Sequence, residues 1–231
     1  MYNQLREILS NDPSSILLYK NNDEYDYLLD WLSREDNVNQ NISLPKPATC
    51  SKGRSADVAK NTATVFDNVS TCTACPGIIE RKKSVGDGSS GVMIILNAPI
   101  MMSSFEKNEL RGESVEILKK IVASMNLPLP TVYITNMIKC ESSDPLLKPS
   151  TQLQSCLHFL EDEIEQICPS VVIVMGDLTP LRRTRKKFIN SSWFEIPHPL
   201  TLIKNPPLKR EAWNTLQLIM SVLEELKENK L

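Results

Sequence analysis

The chain has 231 residues, with 26 basic against 28 acidic side chains and a formal charge of −2. That length can bury a real core, and the near-balance of charge excludes nucleic-acid binding through overall positive charge, so any basic surface must be local. No apolar run follows a basic start and no stretch is long and apolar enough for a membrane helix, so neither a signal peptide nor a span is expected, and the chain reads as cytoplasmic.

In chain order, "MYNQLREIL" and "DEYDYLLDWLSRED" carry apolar residues at helical spacing, broken by Asn11, Asp12 and Pro13, and predict short N-terminal helices over 1–36. Residues 37–55 are polar with two prolines, a linker composition. A domain over 56–231 then begins with a helix leading to Cys72. From about residue 91, the β-branched runs "GVMIILNAP", "TVYITNMIK" and "SVVIVMG" alternate with helical patterns at 112–125 and 151–167. This alternation predicts an α/β fold with a mostly parallel sheet covered on both faces. Ligands of such sheets bind beyond the carboxyl ends of the strands, so "NAP" at 97–99, "TN" at 135–136, "GD" at 176–177 and "HP" at 198–199 are the places to look.

Cys72 and Cys75 in "STCTACPG", with Cys140 and Cys156, give the spacing C-x2-C-x64-C-x15-C. Four thiolates suit either zinc or an iron-sulfur cluster, although Cys140 and Cys156 also read as buried small apolar side chains. A further cluster, "LRRTRKKF" at 181–188, reads equally as a phosphate-tracking surface or as the solvated face of a helix.

Taken together, the cysteine spacing, Arg81 with "GDG" at 86–88, the strand "VYITNMIKC" and the late segment "HPLTLIKNPPLKREAW" resemble the family 4 uracil-DNA glycosylases, the iron-sulfur branch of the uracil-DNA glycosylase superfamily, over about residues 56–231. The resemblance implies a three-layer α/β/α domain around a mostly parallel four-stranded sheet, a [4Fe-4S] cluster on Cys72, Cys75, Cys140 and Cys156, with zinc as the alternative, and uracil-containing DNA as the partner. It implies that Asn136 reads the flipped base, as a carboxamide offering both donor and acceptor can. It also implies that His198 stabilises negative charge on the departing uracil. Leu202, Ile203, Lys204, Lys209 and Arg210 correspond to the DNA-contacting loop and the helix start behind it: the two apolar residues as a wedge, the cations near phosphates.

The departures from the family fall on the chemistry. The "GEAPG" motif is Leu96, Asn97, Ala98, Pro99 and Ile100 here, so both glycines and the carboxylate are replaced. The acidic run that follows becomes Met101, Met102, Ser103 and Ser104, Leu110 stands where a phenylalanine stacks on the base, and Leu200 replaces the serine of "HPS". Asn97 resembles the asparagine with which the mismatch-specific branch of the superfamily orients water, and the resemblance implies that role for it here, with Ala98, Pro99 and Leu110 lining the base pocket. Two outcomes are open: a monofunctional glycosylase, or a catalytically impaired iron-sulfur module that binds DNA or a protein. A monomer is expected, and the N-terminal helices are candidates for docking a repair or replication partner.

Overall fold

The computed structural model describes residues 69–228; the N-terminal helices, the linker and the helix before Cys72 expected from the sequence lie outside them. The continuous apolar runs form a parallel sheet because strands covered on both faces need no polar alternation. Its members are β2 (Val92–Leu96), β3 (Tyr133–Asn136), β5 (Val171–Met175) and β6 (Ser192–Ile196), in the order β3-β2-β5-β6, every neighbouring pair parallel. A second sheet pairs β1 (Ile78–Arg81) with β4 (Cys140–Ser142), antiparallel, Arg81 opposite Cys140.

The helices are α1 (Ser104–Glu109), α2 (Arg111–Ser124), α3 (Pro149–Ile167), α4 (Arg182–Lys187), α5 (Pro199–Lys204) and α6 (Leu208–Glu228). Alternate strand residues feed two cores. Val92, Ile94, Val171, Ile173 and Ile196 meet Val122 of α2, Leu202 of α5 and Leu216 and Ile219 of α6. On the opposite face Met93, Ile95, Val172 and Val174 meet Leu160 and Ile164 of α3 and Leu181 before α4. The expected three layers are therefore present. No helix among the described residues is long and apolar enough to cross a membrane.

Two elements differ from the sequence expectation. The run "TVYITNMIK" does not stay in one strand: β3 stops at Asn136, and Cys140 opens β4 in the other sheet. The turn is held from inside, because the Lys139 side chain, 1% exposed, is bonded to Thr135 and Glu163 of α3 while its carbonyl accepts from the Lys82 N–H at 2.8 Å. Leu202 is the second correction. It is 3% exposed and sits in the sheet core, because α5 packs that face inward, so it cannot serve as a wedge in DNA.

The "GDG" turn covers an edge of the sheet. Val85 bonds Ile134 in both directions, at 2.9 and 2.8 Å, which occupies the outer side of β3. Gly86 then takes φ +84, where a Cβ would come within 1.9 Å of the Val132 carbonyl oxygen, so glycine is required.

Candidate active site

The strand order reverses between β2 and β5, and the crevice at such a switch point is where an α/β sheet accepts ligands. Leu96 is level with both Asn136 and Met175, and Met175 is level with Ile196. Asn97, Asn136, Gly176 and His198 therefore all emerge at one edge, from four strands.

Asn97 is fixed at the switch point. Its N–H donates to the Met175 carbonyl and its Nδ2 to the Asp177 carbonyl, both at 2.9 Å. A carbonyl can only accept, so Nδ2 must face Asp177 and Oδ1 is the atom left to receive a hydrogen from a ligand or water. Gly176, at φ +117, makes this approach possible: a Cβ there would stand 2.2 Å from the Asn97 carbonyl oxygen. Ala98 and Pro99 follow, half-buried. Asn136 is half-buried, and its carboxamide makes no hydrogen bond among the described residues, leaving donor and acceptor together for a ligand. Leu110, also half-buried, is the junction residue between α1 and α2.

His198 is 5% exposed and is the N-cap of α5. Its Nδ1 accepts the Leu200 N–H at 3.1 Å, so the ring proton lies on Nε2, the atom able to donate to a substrate. Burial, reinforced by the Lys107 and Lys82 ammoniums, lowers its pKa to about 4, so the imidazole is neutral at physiological pH. Leu200, in the place of the family's serine, is buried on α5.

The loop expected to touch DNA divides into three parts. Leu202 is core, and Ile203 is only half-buried. Lys204 is engaged in an ion pair with Glu106 at 2.5 Å, which ties α5 to α1. Lys209 and Arg210, in the first turn of α6, are exposed. Glu106 escaped the sequence reading although its signal was visible: Ser103-x-x-Glu106 is a capping box, with Ser103 Oγ accepting the Glu106 N–H and Glu106 accepting the Ser103 N–H. Lys204 first, then Ser103, draws the Glu106 carboxyl down to a pKa of about 2. Lys82 and Lys107, which act on His198 across the fold, carry no local sequence signal.

The four cysteines come together from separate segments. Cys75 lies in the electrostatic field of Cys140 and Cys72, and Cys156 in that of Cys140 and Cys75; burial, then these neighbours, raises both thiols. Donors point at the sulfurs: Arg81 Nη1 reaches Cys140 Sγ at 3.6 Å while its Nη2 donates to the Cys72 carbonyl at 2.9 Å. The Lys139 N–H approaches Cys156 Sγ at 3.4 Å, and Ser155 bonds Cys75. Such donors to sulfur are what a ligated thiolate needs around it. Among the described residues no three His, Cys, Asp or Glu side chains form a group able to hold a metal ion. An open groove of about 820 Å³ lies beside this region, lined by Glu80, Arg111, Glu141 and Asp144 among others, apart from Asn97, Asn136 and His198.

The parallel sheet flanked by helices defines an α/β protein, with the candidate side chains gathered at its switch point. The particular family follows from comparison: the sequence model of the Uracil DNA glycosylase superfamily matches residues 84–217, more than half of the chain, and the chain belongs to that superfamily. It is similar to the Type-4 uracil-DNA glycosylase of Saccharolobus solfataricus, 24% identical over 172 residues, 63% of this chain and 79% of that protein. The Type-4 uracil-DNA glycosylase of Thermotoga maritima is 27% identical over 115 residues, 48% of this chain and 60% of that protein. A DNA polymerase of Bacillus phage SP01 is 23% identical over 154 residues, 62% of this chain and only 17% of the polymerase. The family expected from the motifs is therefore the one found.

Proposed function

We propose that the chain is a cytoplasmic, monomeric DNA glycosylase that flips uracil out of DNA and hydrolyses its bond to deoxyribose, leaving an abasic site. The observation that carries this reading is His198, buried at the strand edge, neutral, and oriented by the Leu200 N–H so that Nε2–H is its donor. Breaking the C1′–N1 bond sends its electron pair into the uracil ring, where a carbonyl oxygen gains negative charge. A neutral donor in a buried site stabilises that oxygen as charge develops. Asn136 supplies the fixed donor and acceptor that select the uracil edge, and the free Oδ1 of Asn97 orients the water that adds to C1′. Ile203, rather than Leu202, is the remaining candidate for filling the vacated stack. Lys209 and Arg210 approach phosphates, and Lys204 organises α5 through Glu106 instead of contacting DNA.

Cys72, Cys75, Cys140 and Cys156 would hold a [4Fe-4S] cluster. The support is the four-thiol donor set and its sulfur-directed N–H groups; in a cube each cysteine takes its own iron, so the sulfurs need not converge on one ion as they must around zinc. When bound, the cluster supplies cross-linking of β4, α3 and the segment before β1, and no electrons are needed for hydrolysis.

A second reading, a DNA-binding module without catalysis, is favoured by one observation: the Glu106 carboxylate is committed to Lys204, and the position after β2 offers the carboxamide of Asn97 rather than a carboxylate. Anaerobically prepared protein in excess over a single-uracil oligonucleotide separates the two. The expected outcome is alkali-labile abasic product that His198→Ala suppresses. DNA binding with no product would overturn the enzyme reading.

A further inference from the structure

Arg81 ends β1 directly opposite Cys140 on β4, the position at which side chains on antiparallel neighbours stand closest. From there its guanidinium forks. Nη1 donates to Cys140 Sγ at 3.6 Å and Nη2 to the Cys72 carbonyl at 2.9 Å, so one half-buried side chain bridges two of the four cysteine segments. A third segment is attached by Gln152 of α3, whose Nε2 donates to the Cys140 carbonyl at 2.9 Å one turn before Cys156.

What Arg81 lacks is an ion pair. Arg111, Lys119, Lys139, Lys187 and Lys204 each hold a carboxylate. Arg81 pairs with none among the described residues; its two acceptors are a sulfur and a backbone carbonyl. The sulfur of a neutral thiol is a weak acceptor, and a guanidinium aimed at one gains little. A metal-bound thiolate turns the same contact into a charge-assisted bond. Four such thiolates leave the site negative around either an iron-sulfur cluster or zinc, and with Cys140 and Cys156 buried, water screens that charge poorly.

We propose that Arg81 is the fixed counter-cation of the four-cysteine site: it ties the Cys72 and Cys140 segments together for ligation, and its charge and Nη1–H stabilise the negative sulfur of Cys140 once that sulfur is bound to metal. The inference rests on the cluster reading given above. It makes Arg81 a positioning residue for the cofactor, apart from Asn97, Asn136 and His198.

The test uses the full chain, prepared anaerobically, with Arg81→Met and Arg81→Lys; Lys119→Met, an exposed cation on α2, is the control for loss of one charge. Three quantities are measured: iron and sulfide content, the rate at which EDTA strips the iron, and the midpoint potential for one-electron reduction. An added electron makes the site more negative, so loss of a neighbouring cation disfavours reduction. For Arg81→Met the equilibrium constant for reduction is expected to fall about tenfold, a midpoint lower by about 59 mV, and stripping to be about 10-fold faster. Arg81→Lys keeps the charge without the fork, and is expected to recover the potential while still losing iron faster. A potential and a stripping rate equal to those of Lys119→Met, in protein folded by circular dichroism, would overturn the proposal. So would faster stripping at an unchanged potential, which would leave Arg81 only a tie between segments. If Arg81→Met does not load, Arg81→Gln, neutral but still a donor, is measured instead: a lowered midpoint supports the proposal, an unchanged one overturns it. Should the unsubstituted protein hold zinc, the cluster reading fails by itself and zinc removal decides Arg81: faster loss from Arg81→Met than from Lys119→Met supports it, equal rates overturn it. An unsubstituted protein that holds neither metal overturns both.

Discussion

Replacing His198 by asparagine removes a titrating group while keeping an N-cap, since asparagine also accepts the N–H two residues on. The magnitude follows from linkage. An imidazole has an ordinary pKa of about 6.5 and His198 is lowered to about 4. Below pH 6.5 the unfolded chain takes up a proton that the folded chain refuses, so stability falls as the pH drops from about 6.5 to about 4 and is level below that. The integrated loss is about 3 kcal/mol, with a limiting slope of about 1.4 kcal/mol per pH unit. Urea unfolding at a series of pH values, followed through Trp193 in the core, gives this quantity for both proteins. Carboxylates titrate alike in each and cancel in the difference. The expected result is a difference of about 3 kcal/mol that accumulates between pH 6.5 and 4, the variant losing less on acidification. A difference that stays flat over that range would refute the claim that burial and the two lysines keep the imidazole neutral, and with it the assignment of Nε2–H as a donor at physiological pH.

Breaking the buried pair by Lys139→Met leaves Glu163 without its partner and should cost about 3–5 kcal/mol, whereas Lys139→Met with Glu163→Leu should recover much of that; denaturant midpoints check both. Gly176→Ala forces a Cβ against the Asn97 carbonyl, so excision should fall far more than affinity for uracil-free DNA, measured by single-turnover rates and anisotropy. Leu202→Ala should destabilise by about 2–5 kcal/mol and leave the salt dependence of DNA binding unchanged, as expected of a core residue. Cys75→Ser should lower iron and sulfide content together, by chemical analysis; stoichiometric zinc in the unsubstituted protein would instead establish the alternative metal.

The β2, β3 and β5 runs were legible because a strand buried on both faces is written as a continuous apolar block, which nothing else of that length between helices resembles. β1 and β4 were not, since four and three residues of mixed polarity carry no period. The end of β3 was misread for a related reason: "MIK" continues the apolar texture, and only the tertiary pull of Glu163 on Lys139 shows that the chain turns there. In the site, Asn97, Asn136 and His198 could be located from their places after strands. Leu202 could not be assigned to core or surface within a six-residue helix, too short for its buried face to declare itself. Lys82 and Lys107 lie outside every motif, and their charges act on His198 only through the tertiary fold.

The β1–β4 pair also dictates an order of events. Arg81 and Cys140 are 59 residues apart, and the chain between them contains β2, α1, α2 and β3. Closing so long a loop is slow and unfavourable until the enclosed elements have packed. During synthesis Cys72 and Cys75 emerge well before Cys140, and Cys156, in the segment that forms α3, is the last of the four. Both β5, the strand beside β2, and β6 follow Cys156 in the chain, so the four-cysteine set is complete before the sheet is, and a chain truncated before α3 never completes that set.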